Sequence, residues 1–160
     1  MKSGFPESDS KLKVCVACSP GGHLVEVRHF SSVYEKHDYF YFTFDCEVAK
    51  RLRSEAPVYS IPNIERYNPL SWLMTAWRSY RIIRKERPDV VLTTGAGIVI
   101  FLCLFAKWAG AKLIFVESMA KVTSPTMTAR ILSPFSDLLI VQWPELLQKF
   151  PKAKFYGRMF

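Results

Sequence analysis

Acidic residues are scarce in this sequence. Asp and Glu number 14 against 22 Lys and Arg, a formal charge of +8. Such a balance favours nucleic acid, anionic lipid or phosphorylated ligands. Long hydrophobic runs are also missing. The longest unbroken one, Ile98–Ala106, is about half of the roughly 20 residues a spanning helix needs. The first ten residues, Met1–Ser10, hold no apolar signal-peptide core, so neither a membrane-spanning nor a conventionally secreted protein is expected. Binding at a membrane surface stays open. Cysteine is limited to Cys15, Cys18, Cys46 and Cys103. Cys15 and Cys18 form a CxxC pair inside what reads as a strand. Residues three apart on a strand point to opposite faces, so the pair cannot share a metal or close a bridge without strain. Reduced, buried thiols are expected, and no metal site. Hydrophobic residues make up 49% and charged residues 22%, a globular composition that excludes a disordered or low-complexity chain. The 160 residues suit one domain and leave no room for a second of similar size.

Short β-rich runs alternate with helical ones. Strands are expected at 13–18, 39–44, 57–60, 89–93, 112–116, 137–141 and 153–156, rich in Val, Ile, Tyr, Phe and Leu. Several are continuously apolar, as parallel strands covered on both faces are. Helices are expected at about 22–36, 46–54, 69–87, 97–109, 126–133 and 144–149. Asn68 and Pro69 supply a cap and a first-turn proline for the third, and Gly110 ends the fourth. The alternation implies right-handed crossovers and an α/β, doubly wound, Rossmann-like parallel sheet. Residues 11–160 form one domain in this reading, after a flexible segment at 1–10.

Ligands of such sheets bind beyond the carboxyl ends of the strands, which selects three loops. Ser19-Pro20-Gly21-Gly22-His23 joins the first strand to the first helix. Its glycines let a ligand approach the backbone, and the helix N-terminus favours an anion. His23 at that terminus, kept neutral by the dipole, can act as a base toward a hydroxyl; otherwise it is a polar cap on a tight turn. Thr93-Thr94-Gly95-Ala96-Gly97 partly matches a dinucleotide fingerprint, but Ile100 stands where the third glycine belongs. It reads as a second anion cradle or as close helix–strand packing. Glu117, followed by Ser118, ends an apolar strand at the ligand edge, where a carboxylate binds sugar hydroxyls, assists a base, or merely caps a helix.

The helix after Pro69 carries Trp72, Leu73, Met74, Trp77, Tyr80, Ile82 and Ile83 among basic residues. From Arg66 to Arg87 there are six bases and one acid, +5 of the total +8. Arg78, Arg81 and Lys85 share one face, and Trp72 and Trp77 lie near them, the pattern of a helix drawn to an anionic lipid surface. An ordinary amphipathic surface helix has the same composition. Nucleic acid is not expected as a partner: no zinc spacing, ribonucleoprotein motif or recognition helix accompanies the charge.

Four stretches carry a family resemblance. Ser19-Pro20-Gly21-Gly22-His23-Leu24-Val25-Glu26, Thr93–Gly97, Ile114–Ser118, and Asp137–Glu145 with Phe150-Pro151-Lys152-Ala153 resemble motifs of the Alg14-like polysaccharide biosynthesis proteins. The match runs from about residue 12 to 157 and is nearest the short prokaryotic, PssD-type members. The resemblance implies the N-terminal, acceptor-binding half of a split GT-B glycosyltransferase. It implies an Alg13-like (PssE-like) partner chain carrying most of the UDP-sugar site, and an acceptor sugar on a polyprenyl or dolichyl diphosphate. It also implies residence at the cytoplasmic face of a membrane, in capsule, exopolysaccharide or lipid-linked oligosaccharide assembly, with UDP-N-acetylglucosamine or another UDP-sugar as donor. Eukaryotic members begin with a hydrophobic anchor, which this sequence does not show. Pro20 stands where other members often have Ser or Gly, at the cost of one N–H donor. The chain also stops at Phe160, where a full GT-B enzyme would continue, which again leads to the expectation of a half-enzyme.

On this reading His23 and Glu117 are the catalytic candidates, His23 first. Gly21, Gly22, Thr94, Gly95, Gly97 and Ser118 would hold the acceptor diphosphate. Trp72, Trp77, Arg78, Arg81 and Lys85 would face the membrane, and Trp143, Pro144 and Glu145 the partner. No metal or other cofactor is required. Two alternatives remain: a stand-alone nucleotide-sugar or dinucleotide enzyme, and a non-catalytic membrane scaffold.

Overall fold

The computed structural model describes residues 10–62 and 68–159. The flexible segment expected at 1–10 falls, apart from Ser10, outside the described residues. Seven strands form one sheet: β1 (Lys13–Ala17), β2 (Asp38–Phe44), β3 (Val58–Ile61), β4 (Val90–Thr93), β5 (Lys112–Val116), β6 (Leu138–Val141) and β7 (Lys154–Phe155). Their order is β3-β2-β1-β4-β5-β6-β7 and every pairing is parallel. The order reverses between β1 and β4, so the crevice of this doubly wound sheet opens at their carboxyl ends.

Strand alternation divides the core. Cys15, Phe40, Phe42, Val91, Leu113, Phe115 and Val141 point to one face; Val14, Val16, Tyr41, Leu92, Val116 and Ile140 point to the other. Both sets are apolar, as a sheet covered on both faces requires. Helices α1 (Gly22–Arg28), α2 (Ser31–Tyr34) and α3 (Glu47–Leu52) cover the second face. Helices α4 (Pro69–Glu86), α5 (Val99–Trp108) and α6 (Met127–Leu132) cover the first, with 3-10 turns at Ser133–Phe135 and Pro144–Gln148. Each fully buried Leu, Ile or Phe contributes about 1.5–3 kcal/mol relative to exposure.

Cys15 and Cys18 fall in opposite core layers, and all four thiols are free. Burial pushes the Cys18 thiol up to about 12 and raises Cys15 and Cys103 as well, so these groups stay protonated.

Three expected helices come out differently. The segment 22–36 is two helices. After Arg28 the bonds shorten to i→i+3, from His29 N–H to the Glu26 carbonyl and from Phe30 N–H to that of Val27. The kink turns Tyr34 inward, where its hydroxyl meets that of Tyr41 at 3.1 Å. Helix α5 begins at Val99 rather than 97, because residues 97–98 form a turn that follows Gly95 at φ 104° and Ala96 at φ 102°. The C-terminal helix expected at 144–149 is a 3-10 turn begun by Pro144. Asn68 caps α4 as its sequence implies, its Oδ1 accepting the Leu70 N–H at 3.0 Å.

Candidate functional site

The loops after β1, β4 and β5 converge at the switch point. Gly21, at φ 90°, caps α1 without a side-chain acceptor, and Gly21 and Gly22 are exposed. The β4–α5 loop is tied to this corner, since Thr94 Oγ1 donates to the His23 carbonyl at 2.8 Å. Gly95 passes so close to the imidazole that a Cβ there would stand 3.8 Å from His23 Cε1 and 3.4 Å from the Phe115 ring. Ala96 holds φ 102°, a conformation costing a non-glycine residue about 1–3 kcal/mol. Strain is thus stored in the loop that packs against His23.

His23 is partly exposed, but its Nδ1 is buried and faces Glu26 Oε2 at 3.5 Å, and neither atom has a hydrogen-bond partner among the described residues. Glu26 is held from across the crevice. Its Oε1 accepts the Ser118 hydroxyl at 2.7 Å and the Met119 N–H at 3.1 Å. Burial works against its charge, but the nearby His23 imidazole and the bonds from Ser118 and Met119 outweigh it and hold the carboxyl below its ordinary range. The Glu26 carboxylate therefore faces the Nδ1 side of His23. The sequence reading passed over Glu26. Its signal was the spacing His23-x-x-Glu26, which puts both side chains on one helix face.

Glu117 is fully buried. Its Oε1 accepts the Ser118 N–H, and its Oε2 accepts both the N–H and the hydroxyl of Thr126, at 3.0 to 3.2 Å. Thr126 in turn caps α6 through the Ala129 N–H at 3.0 Å. Burial raises the Glu117 carboxyl, against the pull of those hydrogen bonds and of nearby His23. Both Glu117 oxygens are thus engaged by the Ser118 and Thr126 donors, which makes this carboxylate an organiser of the loop.

Two expected phosphate-binding side chains are likewise occupied. The Thr94 hydroxyl serves the His23 carbonyl and that of Ser118 serves Glu26. Gly21, Gly22 and Gly97 remain exposed at the crevice, while Gly95 is buried. Among the described residues, no group of three His, Cys, Asp or Glu side chains is placed to hold a metal.

Helix α4 borders the crevice through Trp72, which lies 3.5 Å from where a Cβ on Gly97 would be. Trp72 is half-buried against Phe101. The exposed face runs instead through Leu70, Leu73 (66% exposed), Met74, Trp77 (56%) and Tyr80, and α5 adds Trp108 (74%). Ile82 and Ile83 belong to the core. Arg81 lies over the Trp77 ring at 4.8 Å and Arg84 over that of Tyr80 at 5.9 Å. No helix among the described residues is long and apolar enough to cross a membrane.

At the other end of the crevice, Trp143 is engaged within the chain. Its indole donates to the Met119 carbonyl at 2.7 Å and its ring lies 4.2 Å from the Arg158 guanidinium. Pro144 and Glu145 are exposed.

The family model for oligosaccharide biosynthesis protein Alg14-like matches residues 65–159, more than half of the chain. The chain belongs to the Alg14-like family. A UDP-N-acetylglucosamine transferase subunit ALG14 from Mus musculus is 28% identical over 180 aligned positions, spanning 92% of this chain and 83% of the mouse protein. The Schizosaccharomyces pombe subunit of the same name is 33% identical over 118, spanning 64% and 56%. Among solved structures, Acinetobacter baumannii MurG superposes with a TM-score of 0.69 at 16% identity, over 83% of this chain and 42% of that one. A UDP-N-acetylglucosamine 2-epimerase from Rickettsia bellii gives 0.72 at 16%, over 94% and 46%. This Alg14-like chain spans less than half of either solved chain. The likeness to both shows the fold, a doubly wound, Rossmann-like parallel α/β sheet.

Proposed function

We propose that this Alg14-like chain is the acceptor-binding subunit of a two-chain glycosyltransferase. A second, Alg13-like chain supplies most of the UDP-sugar site. The acceptor is a sugar on a polyprenyl or dolichyl diphosphate at the cytoplasmic face of a membrane. The setting is lipid-linked oligosaccharide assembly or, as the PssD-like motifs suggest, capsule or exopolysaccharide assembly. The observation that carries this reading is His23 at the switch point, backed by a carboxylate fixed from the opposite loop. Family membership and the names of the relatives support the transferase role.

The chemistry follows from that geometry. The acceptor hydroxyl attacks C1 of the donor sugar, and the C1–O bond to UDP breaks with its electron pair leaving on the diphosphate. The hydroxyl proton passes to His23 Nε2 while Glu26 faces the Nδ1 side. One displacement inverts the anomeric centre and needs one base and no covalent intermediate. Gly21, Gly22 and Gly97 let the acceptor diphosphate approach backbone N–H groups. Glu26 is a positioning residue here, acting through His23. Helix α4 faces the membrane and delivers the crevice to a lipid-borne acceptor.

Calorimetric titration of the isolated chain with UDP and a panel of UDP-sugars tests the division of labour. The expected result is no micromolar binding. Tight binding would place a complete donor site in this chain and favour a stand-alone nucleotide-sugar enzyme.

A further inference from the structure

A groove of about 650 Å³ runs between the edge strand β3 and helix α4, lined by Tyr59, Ser60 and Ile61 on one side and Trp77, Arg78, Arg81, Ile82 and Lys85 on the other. It is separate from the crevice. Trp72 marks the crevice end of α4, and Arg81 lies nine residues further on, roughly 14 Å at the rise of an α-helix. Three cations at i, i+3 and i+7 thus share one concave surface. None of the described lining residues is acidic. Two described carboxylates border the groove: Glu86 pairs with Lys13 at 2.5 Å, takes the Tyr59 hydroxyl and lies 3.8 Å from Lys85 Nζ, and Asp45 accepts from the Ser60 hydroxyl at 3.4 Å. Arg81 keeps its guanidinium stacked on Trp77, so its position is fixed before any ligand arrives. Strand β3 is at the sheet edge and has β2 as its one neighbour, so no strand among the described residues pairs its outer N–H groups.

We infer that this groove is a discrete site for the phosphate headgroup of an anionic phospholipid. Charge fixes the ligand class: among the described residues Arg78, Arg81 and Lys85 line the groove and only Lys85 pairs with a carboxylate, a net positive lining that matches a phosphodiester. The neighbouring surface fixes the source. Trp77 lines the groove and also belongs to the exposed stripe with Leu73, Met74 and Tyr80. A free phosphate gains nothing from that stripe, whereas a lipid puts its headgroup in the groove and its acyl region against the stripe. The inference rests on the membrane-facing reading of α4 and sharpens it from a diffuse basic surface to a site with shape.

Vesicles of phosphatidylcholine alone and of phosphatidylcholine mixed with phosphatidylglycerol provide the test. Arg78→Gln with Lys85→Gln empties the groove of two cations. Arg84→Gln with Arg87→Gln removes the same charge from the same end of α4 outside it. Diffuse attraction weakens equally in the two pairs. A discrete site makes the groove pair bind mixed vesicles about tenfold or more weaker than the control pair, beyond the equal charge loss. In a second arm, dihexanoyl phosphatidylglycerol below its micelle concentration is titrated into the labelled protein. Saturable amide shifts around Tyr59, Arg78, Arg81 and Lys85 are expected, absent in the groove pair and not reproduced by inorganic phosphate at equal concentration. Equal losses in the two pairs, or equal saturation by inorganic phosphate, would overturn the inference while leaving membrane binding by α4 intact. Failure of the unmodified protein to bind mixed vesicles at all would remove the membrane reading and this site with it. Transfer to a water-soluble acceptor analogue is independent of both.

Discussion

The two helical layers cover the same sheet and differ on their outer sides. On α1–α3 the exposed apolar residues are single valines, Val25, Val33 and Val48, one to a helix. Several charges nearby are paired: Arg28 with Glu55 at 3.1 Å, Lys50 with Glu47 at 2.5 Å, Arg53 with Asp45 at 4.0 Å. On α4–α5 the exposed apolar residues form a continuous stripe, and Arg81 and Arg84 lie over aromatic rings instead of carboxylates. Scattered apolar residues are normal on a soluble surface, while a contiguous stripe rimmed by cations marks an interaction face. Both layers bury their inner sides alike, so the difference in what they leave outside is the functional information.

The largest effect is expected where the two layers meet. Replacing His23 by Ala should lower transfer by the reconstituted pair about 10²-fold or more while leaving the melting temperature nearly unchanged. Loss of activity with loss of fold would return His23 to a capping role. Next comes the contrast between layers. Leu73→Glu with Trp77→Glu on α4 should cut co-sedimentation with anionic vesicles by about tenfold, and Val33→Glu on α2 should leave it unchanged. Equal effects would erase the distinction drawn here.

How much of this was legible beforehand follows from which interactions are local. All seven strands and the parallel order follow from runs of Val, Ile and Phe two-faced enough to need cover on both sides. The α4 cap was written in Asn68-Pro69. The helix break at His29-Phe30 was not, because it serves Tyr34 reaching Tyr41, a contact fixed only in the folded core. In the site, glycine loops announced themselves through composition. The fate of the two carboxylates did not. Glu117 lies next to Ser118 and looked available, yet Thr126 and the Ser118 backbone engage both its oxygens. Glu26 is fixed beside His23 only by the loop after β5, 92 residues away, a contact that local sequence does not show.

Those carboxylates give a finer test. Glu26 has a lowered pKa in the fold, so its stabilisation is present above the ordinary carboxylate range and is lost as pH falls through its depressed value. Glu26→Gln should therefore cost about 1–2 kcal/mol at neutral pH, and the gap to the unmodified protein should close in acid. Glu117 has the opposite sign. Its raised pKa favours the fold at low pH, and that contribution is lost as pH rises past the carboxylate range. Denaturation followed from acid to neutral pH checks both; a pH-independent gap for Glu26→Gln would mean its carboxylate is not held ionised by the fold. The smallest effect concerns the strained loop. Ala96→Gly should relieve the positive φ and stabilise the protein by up to about 1 kcal/mol, less the entropy glycine adds to the unfolded chain. A loss of stability would show that Ala96 is not strained.

Transfer from UDP-sugars to a polyprenyl-diphosphate-linked sugar is the most direct measurement of the account, made with this chain alone, an Alg13-like partner alone, and the co-purified pair. Product from the pair and from neither chain alone is the predicted result. Product from the partner alone at the same rate as from the pair would contradict an acceptor-binding role for this chain.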